Sequence, residues 1–198
     1  MMNKLEGKRI GFGFTGSHHS HKEVFPQLEK LVAAKAEVIP IISNTVKQTD
    51  TTFGRASEHI QKIEEMTNRR VISTIPEAEP FGPKEPLDCM VIAPLTGNSL
   101  SKLANALTDN AVLMAAKATL RNEKPVVLGV TTNDALGLNG VNLIKLLNTK
   151  NVYFIPFGQD QPFKKSNSLV AKWDSLPSTV RYSLDYKQIQ PLLVPHQS

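Results

Sequence analysis

Leu87-LDCMVIAPLTGNSLSKLANALTDN-Asn110 decides the fold. Its first seven residues, Leu87 to Ala93, are almost continuously apolar. A strand of that kind has both faces covered, as in a parallel sheet. A polar run, Pro94-Leu95-Thr96-Gly97-Asn98-Ser99, follows at once. Leu100, Leu103, Ala104 and Leu107 then recur at helical spacing. Strand, polar loop and helix in direct succession make up the repeating unit of an α/β fold.

The same unit appears on either side. Lys8 to Phe14 reads as a first strand, Glu37 to Ile42 as a second and Val71 to Ile75 as a short third. Pro125 to Val130 and Val152 to Ile155 follow the Leu87 strand, giving about six. Val24, Leu28, Leu31 and Val32 mark a helix after the first strand. Pro26 would break its start, so regular helix is expected from near Phe25. Further helices are expected over Phe53 to Ile63, Ala111 to Leu120 and Val141 to Leu147. Pro76 to Pro86 carries four prolines and reads as a surface excursion. The expected architecture is a three-layer, Rossmann-like (flavodoxin-like) sandwich over residues 1–156, with a mainly parallel sheet. Residues 157–198 are polar and proline-punctuated. They read as a tail, with a short helix over Val180 to Ile189, packing on the domain or on a neighbouring subunit.

Composition narrows the function classes. The 198 residues carry a net charge of +5, with 40% hydrophobic and 21% charged residues, as in ordinary globular domains. No apolar run approaches the ~18 residues of a membrane span, and the N-terminus has no signal-peptide pattern. The single cysteine, Cys89, excludes an intrachain disulfide and fits a reducing cytoplasm. Lysines and arginines are scattered without interleaved aromatics, which argues against nucleic acid.

In open parallel sheets, ligands bind at the carboxyl ends of the strands. Four strand ends here are rich in hydroxyls, amides and glycine: Thr15-Gly16-Ser17-His18, Ser43-Asn44-Thr45, Thr96-Gly97-Asn98-Ser99 and Thr131-Thr132-Asn133-Asp134. Loops of this chemistry feeding helices donate to phosphates. Gly11-x-Gly13-x-x-Gly16 spells a dinucleotide fingerprint, but the strand runs through its first two glycines. Ser43 also stands where an acidic ribose ligand is expected. His18, His19 and His21 are spaced poorly for one metal, and no metal site is expected. Cys89, inside a buried strand, reads as core.

At Pro94 to Asn110 the sequence resembles the flavoprotein family of flavin-dependent cysteine decarboxylases and flavin prenyltransferases. Thr15-Gly16-Ser17 and Ser43 match that family's turns after the first two strands, and Thr132-Asn133 matches loosely after a later one. The resemblance spans about Arg9 to Pro156. It implies bound FMN in a pocket at a subunit interface, within a homo-oligomer built from trimers. By that resemblance Gly16, Ser17 and Ser43 hold the phosphate, and Thr96, Gly97, Asn98 and Ser99 line the flavin and ribityl side. Thr15 and Thr132 complete the cofactor-binding set, and Asn133 faces the substrate.

The decarboxylases' catalytic histidine would fall at Pro80, and the substrate loop reads VTTNDALGLNG. Cysteine decarboxylation is therefore disfavoured. Thr131 to Asn142 and Asn151 to Ala171 resemble instead a branch from spore-forming bacteria. That branch implies oxidation of a dihydropyridine dicarboxylate in the mother-cell cytoplasm, beside a second subunit that resembles a nicotinamide (NAD(P))-binding dehydrogenase. A stand-alone FMN-dependent decarboxylase or prenyltransferase, and a non-catalytic assembly subunit, are the alternatives. The catalytic residue stays open, with His18, His59 and Asn133 as candidates and His19 beside them.

Overall fold

The computed structural model describes residues 4–195. Five strands run parallel: β1 (Arg9–Phe14), β2 (Glu37–Ile42), β3 (Cys89–Leu95), β4 (Val126–Thr132) and β5 (Val152–Phe154). Their order across the sheet is β2-β1-β3-β4-β5, the flavodoxin-like arrangement. Two short strands, β6 (Phe157–Gly158) and β7 (Leu169–Ala171), extend it in antiparallel fashion. β4 therefore has two partners on one side: β5 along Val126–Leu128 and β7 at Thr131 and Thr132.

The helices are α1 (His21–Ala33), α2 (Asn44–Gln48), α3 (Ala56–Thr67), α4 (Ile75–Ala78), α5 (Gly97–Ala104), α6 (Ala111–Arg121), α7 (Gly140–Leu147) and α8 (Leu176–Ser183). They cover both faces because strand side chains alternate. Met90 and Ile92 of β3 join a core with Ala111, Val112, Ala115 and Leu143. Cys89, Val91 and Ala93 of the same strand join the opposite core, with Leu28, Leu31, Ile63 and Val180. Each fully buried leucine or isoleucine in these layers contributes about 1.5–3 kcal/mol.

Gly11 and Gly13 lie inside β1. A Cβ on Gly13 would stand 2.8 Å from both Met90 and Val112, and one on Gly11 would stand 2.6 Å from Leu87. These glycines admit core side chains rather than a pyrophosphate. The fingerprint spacing is a coincidence of strand register.

Three expectations are corrected. The third strand at Val71 to Ile75 is a single parallel bridge, Ile72 to Ile41. Thr74 and Glu77 form a capping box there, with Pro76 in the first turn, so the chain turns into α4. The helix after β1 starts at His21, not near Phe25, and carries Pro26 inside it. Burial of Val24, Phe25, Leu28 and Leu31 offsets the missing hydrogen bond. The tail helix is Leu176–Ser183, opened by Pro177 and ended before Tyr186, whose φ is +57°. β6 and β7 are too short to show periodicity. The tail packs by Trp173, which is buried against Gly129.

Candidate functional site

The carboxyl ends of β1, β2, β3 and β4 converge, and the loop after β3 stands at the centre. β3 slips register between Ile92 and Leu95, where Pro94 has no proton for a ladder bond. The chain then enters α5 with Thr96 as N-cap, its hydroxyl accepting from the Ser99 amide at 3.3 Å. Thr15 fastens this loop to the end of β1. Its buried hydroxyl donates to the Pro94 carbonyl at 2.7 Å and accepts from the Thr96 amide at 3.0 Å. Thr15 thus spends its polarity on the scaffold.

Thr96 borders two cavities. The smaller, about 260 Å³, is walled by Gly16, Ser43, Thr45, Asn98, Ser99 and Lys102. Ser43 is buried, and its Oγ has no hydrogen-bond partner among the described residues. With the first amides of α5 it forms a donor set suited to a phosphate. Lys102 is ion-paired with Asp109 across the mouth. That lysine holds the Asp109 carboxyl below the usual carboxylate range.

The larger cavity, about 740 Å³, is lined by Ser17, His19, Thr96 and Gly97, by Thr132 and Asn133, and by the C-terminal segment with Gln159, Lys165, Ser168 and Lys172. Gly97 is required by close approach: a Cβ there would stand 2.5 Å from the Thr132 hydroxyl and 2.8 Å from an Asp134 oxygen. Asp134 is itself held by Thr132 Oγ1 at 2.5 Å and by Asn139 Nδ2 at 2.8 Å.

The expected cofactor residues are thereby divided. Gly16, Ser43, Asn98 and Ser99 line the smaller cavity, Ser17, Gly97 and Thr132 the larger, and Thr96 both. Asn133 is exposed on the larger cavity. His18 and His59 line neither cavity. With His21 they form a buried cluster, with ring centroids 5.0 to 5.6 Å apart. His18 Nδ1 donates to the Gly16 carbonyl at 3.0 Å, and His21 Nε2 reaches the Thr15 carbonyl at 3.5 Å. The cluster therefore underpins the turn after β1. Burial first, then the neighbouring His59 and His18, pushes the His21 pKa down to about 3. Burial and His18 lower that of His59 as well. Among the described residues no group of three histidines, cysteines or acids is arranged to hold a metal.

His19 faces the larger cavity where His18 turns inward, and its Nδ1 lies 3.3 Å from the Ser17 hydroxyl. Gln159, Lys165, Ser168 and Lys172 were not singled out by the sequence. They lie in a polar stretch without periodicity, and only the branch resemblance over Asn151 to Ala171 touched that region.

The flavoprotein family profile matches residues 2–168. The chain belongs to the flavoprotein family. The flavoprotein is 63% identical over 193 residues to the B subunit of dipicolinate synthase from Bacillus subtilis (strain 168), covering 98% of this chain and 96% of that one. It superposes on the crystal structure of the dipicolinate synthase B subunit from Bacillus halodurans C with a TM-score of 0.91 and 57% identity, covering 98% and 99% of the two chains. The FMN-binding protein AtHal3 shares the fold at 19% identity, with a TM-score of 0.61 over 93% and 100% of the two chains. The family supports a flavin as cofactor, and the smaller cavity's donors fit its phosphate end.

Proposed function

We propose that this flavoprotein is the B subunit of a dipicolinate synthase. With the companion A subunit it oxidises dihydrodipicolinate to pyridine-2,6-dicarboxylate during sporulation, in the mother-cell cytoplasm. The observation that carries this reading is the 63% identity to the Bacillus subtilis protein over 98% of the chain. The site agrees with it. The two stretches that set this branch apart, Thr131 to Asn142 and Asn151 to Ala171, both line the larger cavity.

The cofactor is FMN. Ser43, Gly16 and the amides at the start of α5 would hold its phosphate, with Asn98 and Ser99 in the same cavity and Thr96 bordering both cavities. When bound, the flavin supplies an acceptor for a hydride. Thr15 keeps the loops after β1 and β3 in register. Gly97 lets the Thr132 and Asp134 side chains close against the loop. Asn133 meets the substrate, and His19, exposed at the cavity, accepts the ring proton. NAD(P) enters through the companion dehydrogenase-like protein.

The chain assembles with copies of itself, in trimers, and with that companion. Exposed Leu136, Leu138, Val141 and Ile144, on α7 and the loop before it, support a docking role. They adjoin the Asn133–Asp134 wall, so assembly and site share one region.

The absorbance spectrum of the purified protein, and an assay of each of the two proteins separately and together, test the proposal. A yellow protein with an FMN spectrum, and dipicolinate formation requiring both proteins, are expected. Colourless protein that fails to bind added FMN, or full activity from the companion without this chain, would overturn it.

A further inference from the structure

We propose that Lys172 reads the second carboxylate of the pyridine dicarboxylate. This rests on the function proposed above and assigns a specificity-determining side chain within its larger cavity. Five formally charged side chains line that cavity: Glu23, Asp134, Asp160, Lys165 and Lys172. Four of them are disposed of by the geometry. Asp134 is held by the Thr132 hydroxyl and the Asn139 amide. Asp160 is paired with Lys165, whose Nζ lies 3.6 Å from Oδ2. Glu23 is exposed on α1.

Lys172 differs from these. It is half-buried, and its ammonium makes no ion pair or hydrogen bond among the described residues. Its backbone is fixed: the Lys172 amide donates to the Pro156 carbonyl at 2.7 Å. β7 immediately before it is paired to β4 at Thr131 and Thr132, so the lysine follows a rigid element, and it lines the same cavity as Asn133. A partly desolvated cation without a partner is set to gain from an anionic ligand. The loops proposed to hold the cofactor line the same cavity. A flat ring bound there presents a carboxylate to the C-terminal segment. The expected ligand class is a planar dianion, and a monocarboxylate of the same ring loses the lysine contact.

The test uses the full chain, saturated with FMN, in metal-free buffer. Calorimetric titration with pyridine-2,6-dicarboxylate is compared with pyridine-2-carboxylate for the wild type, Lys172→Gln and Lys172→Arg. The wild type is expected to prefer the dicarboxylate by about tenfold or more, the usual weight of a charge-assisted contact. That preference should collapse towards unity in Lys172→Gln and be largely kept in Lys172→Arg, with thermal melting unchanged. Equal preference in the wild type and Lys172→Gln overturns the assignment of the lysine while leaving the proposed function standing. A wild type that binds neither compound overturns both. If Lys172→Gln melts early, the Arg variant decides: loss of the preference in a well-folded Lys172→Arg also counts against it.

Discussion

The amide of Thr96 donates to the hydroxyl of Thr15 at 3.0 Å, and that hydroxyl donates onward to the Pro94 carbonyl at 2.7 Å. One buried side chain therefore ties the end of β1 to the loop that separates the two cavities. Thr15→Val keeps the shape and removes both bonds. It leaves a donor and an acceptor unsatisfied, at about 1–3 kcal/mol each. Urea unfolding should show a loss of about 2–4 kcal/mol, with flavin retention weakened in parallel, and Thr15→Ser should recover most of both. A valine variant as stable as the wild type would remove the clasp from the account.

The second prediction separates cofactor retention from folding. Ser43→Leu fills the smaller cavity at a position where the native hydroxyl has no protein partner. Little native bonding is lost, so the melting temperature of the flavin-free protein should change little. Bound FMN, read by absorbance after gel filtration, should fall to background. Full retention would show that the phosphate is held elsewhere. Ser17→Leu should act on the larger cavity's edge and cut retention less.

Much of this site was legible before the fold was known, because its residues occupy strand ends. Buried strands announce themselves by apolar runs, and whatever polar residues follow must stand at the sheet's carboxyl edge. Ser43, Thr96, Gly97 and Asn133 were placed in that way. The histidines were not. His18 and His19 are adjacent, and which one faces the cavity depends on the short 3₁₀ turn His18–Ser20, which leaves no periodic signal. His59 comes from α3, and only packing brings it to His21. The lysines of the C-terminal segment lay deeper still. β6 and β7 are two and three residues long, and their position depends on pairing with the end of β4.

The third prediction concerns acid. His21 carries a folded-state pKa of about 3 against 6.5 when unfolded, chiefly from burial. The unfolded chain therefore binds more protons than the folded one between those values. The stability that neutral His21 contributes is present in full above about pH 6.5 and is lost as pH falls towards 3. Because His18 and His21 brace the turn that carries Gly16 and Ser17, flavin should be released in the same window. Denaturant midpoints at pH 7, 6, 5 and 4 should decline progressively. His21→Phe, which keeps an aromatic ring against Phe14 and Phe25, should flatten the decline. An unchanged slope in that variant would remove His21 as its source.

The last prediction uses the only thiol. Cys89 is fully buried at the start of β3, with its sulfur 3.7 Å from the Ser183 hydroxyl. Burial pushes the thiol up to about 12, so almost no thiolate exists at neutral pH. Thiolate is the reactive form, and the sulfur is also closed off from solvent. Native protein should therefore resist iodoacetamide at pH 8 for hours, while protein in urea should take up one equivalent per chain. Cys89→Ala should leave flavin binding and dipicolinate formation intact and cost about 1–2 kcal/mol for the lost packing. Rapid native labelling would mean that α8, which carries Ser183, opens readily from the sheet. Loss of activity in a stable Cys89→Ala variant would instead move the thiol from the core into the chemistry.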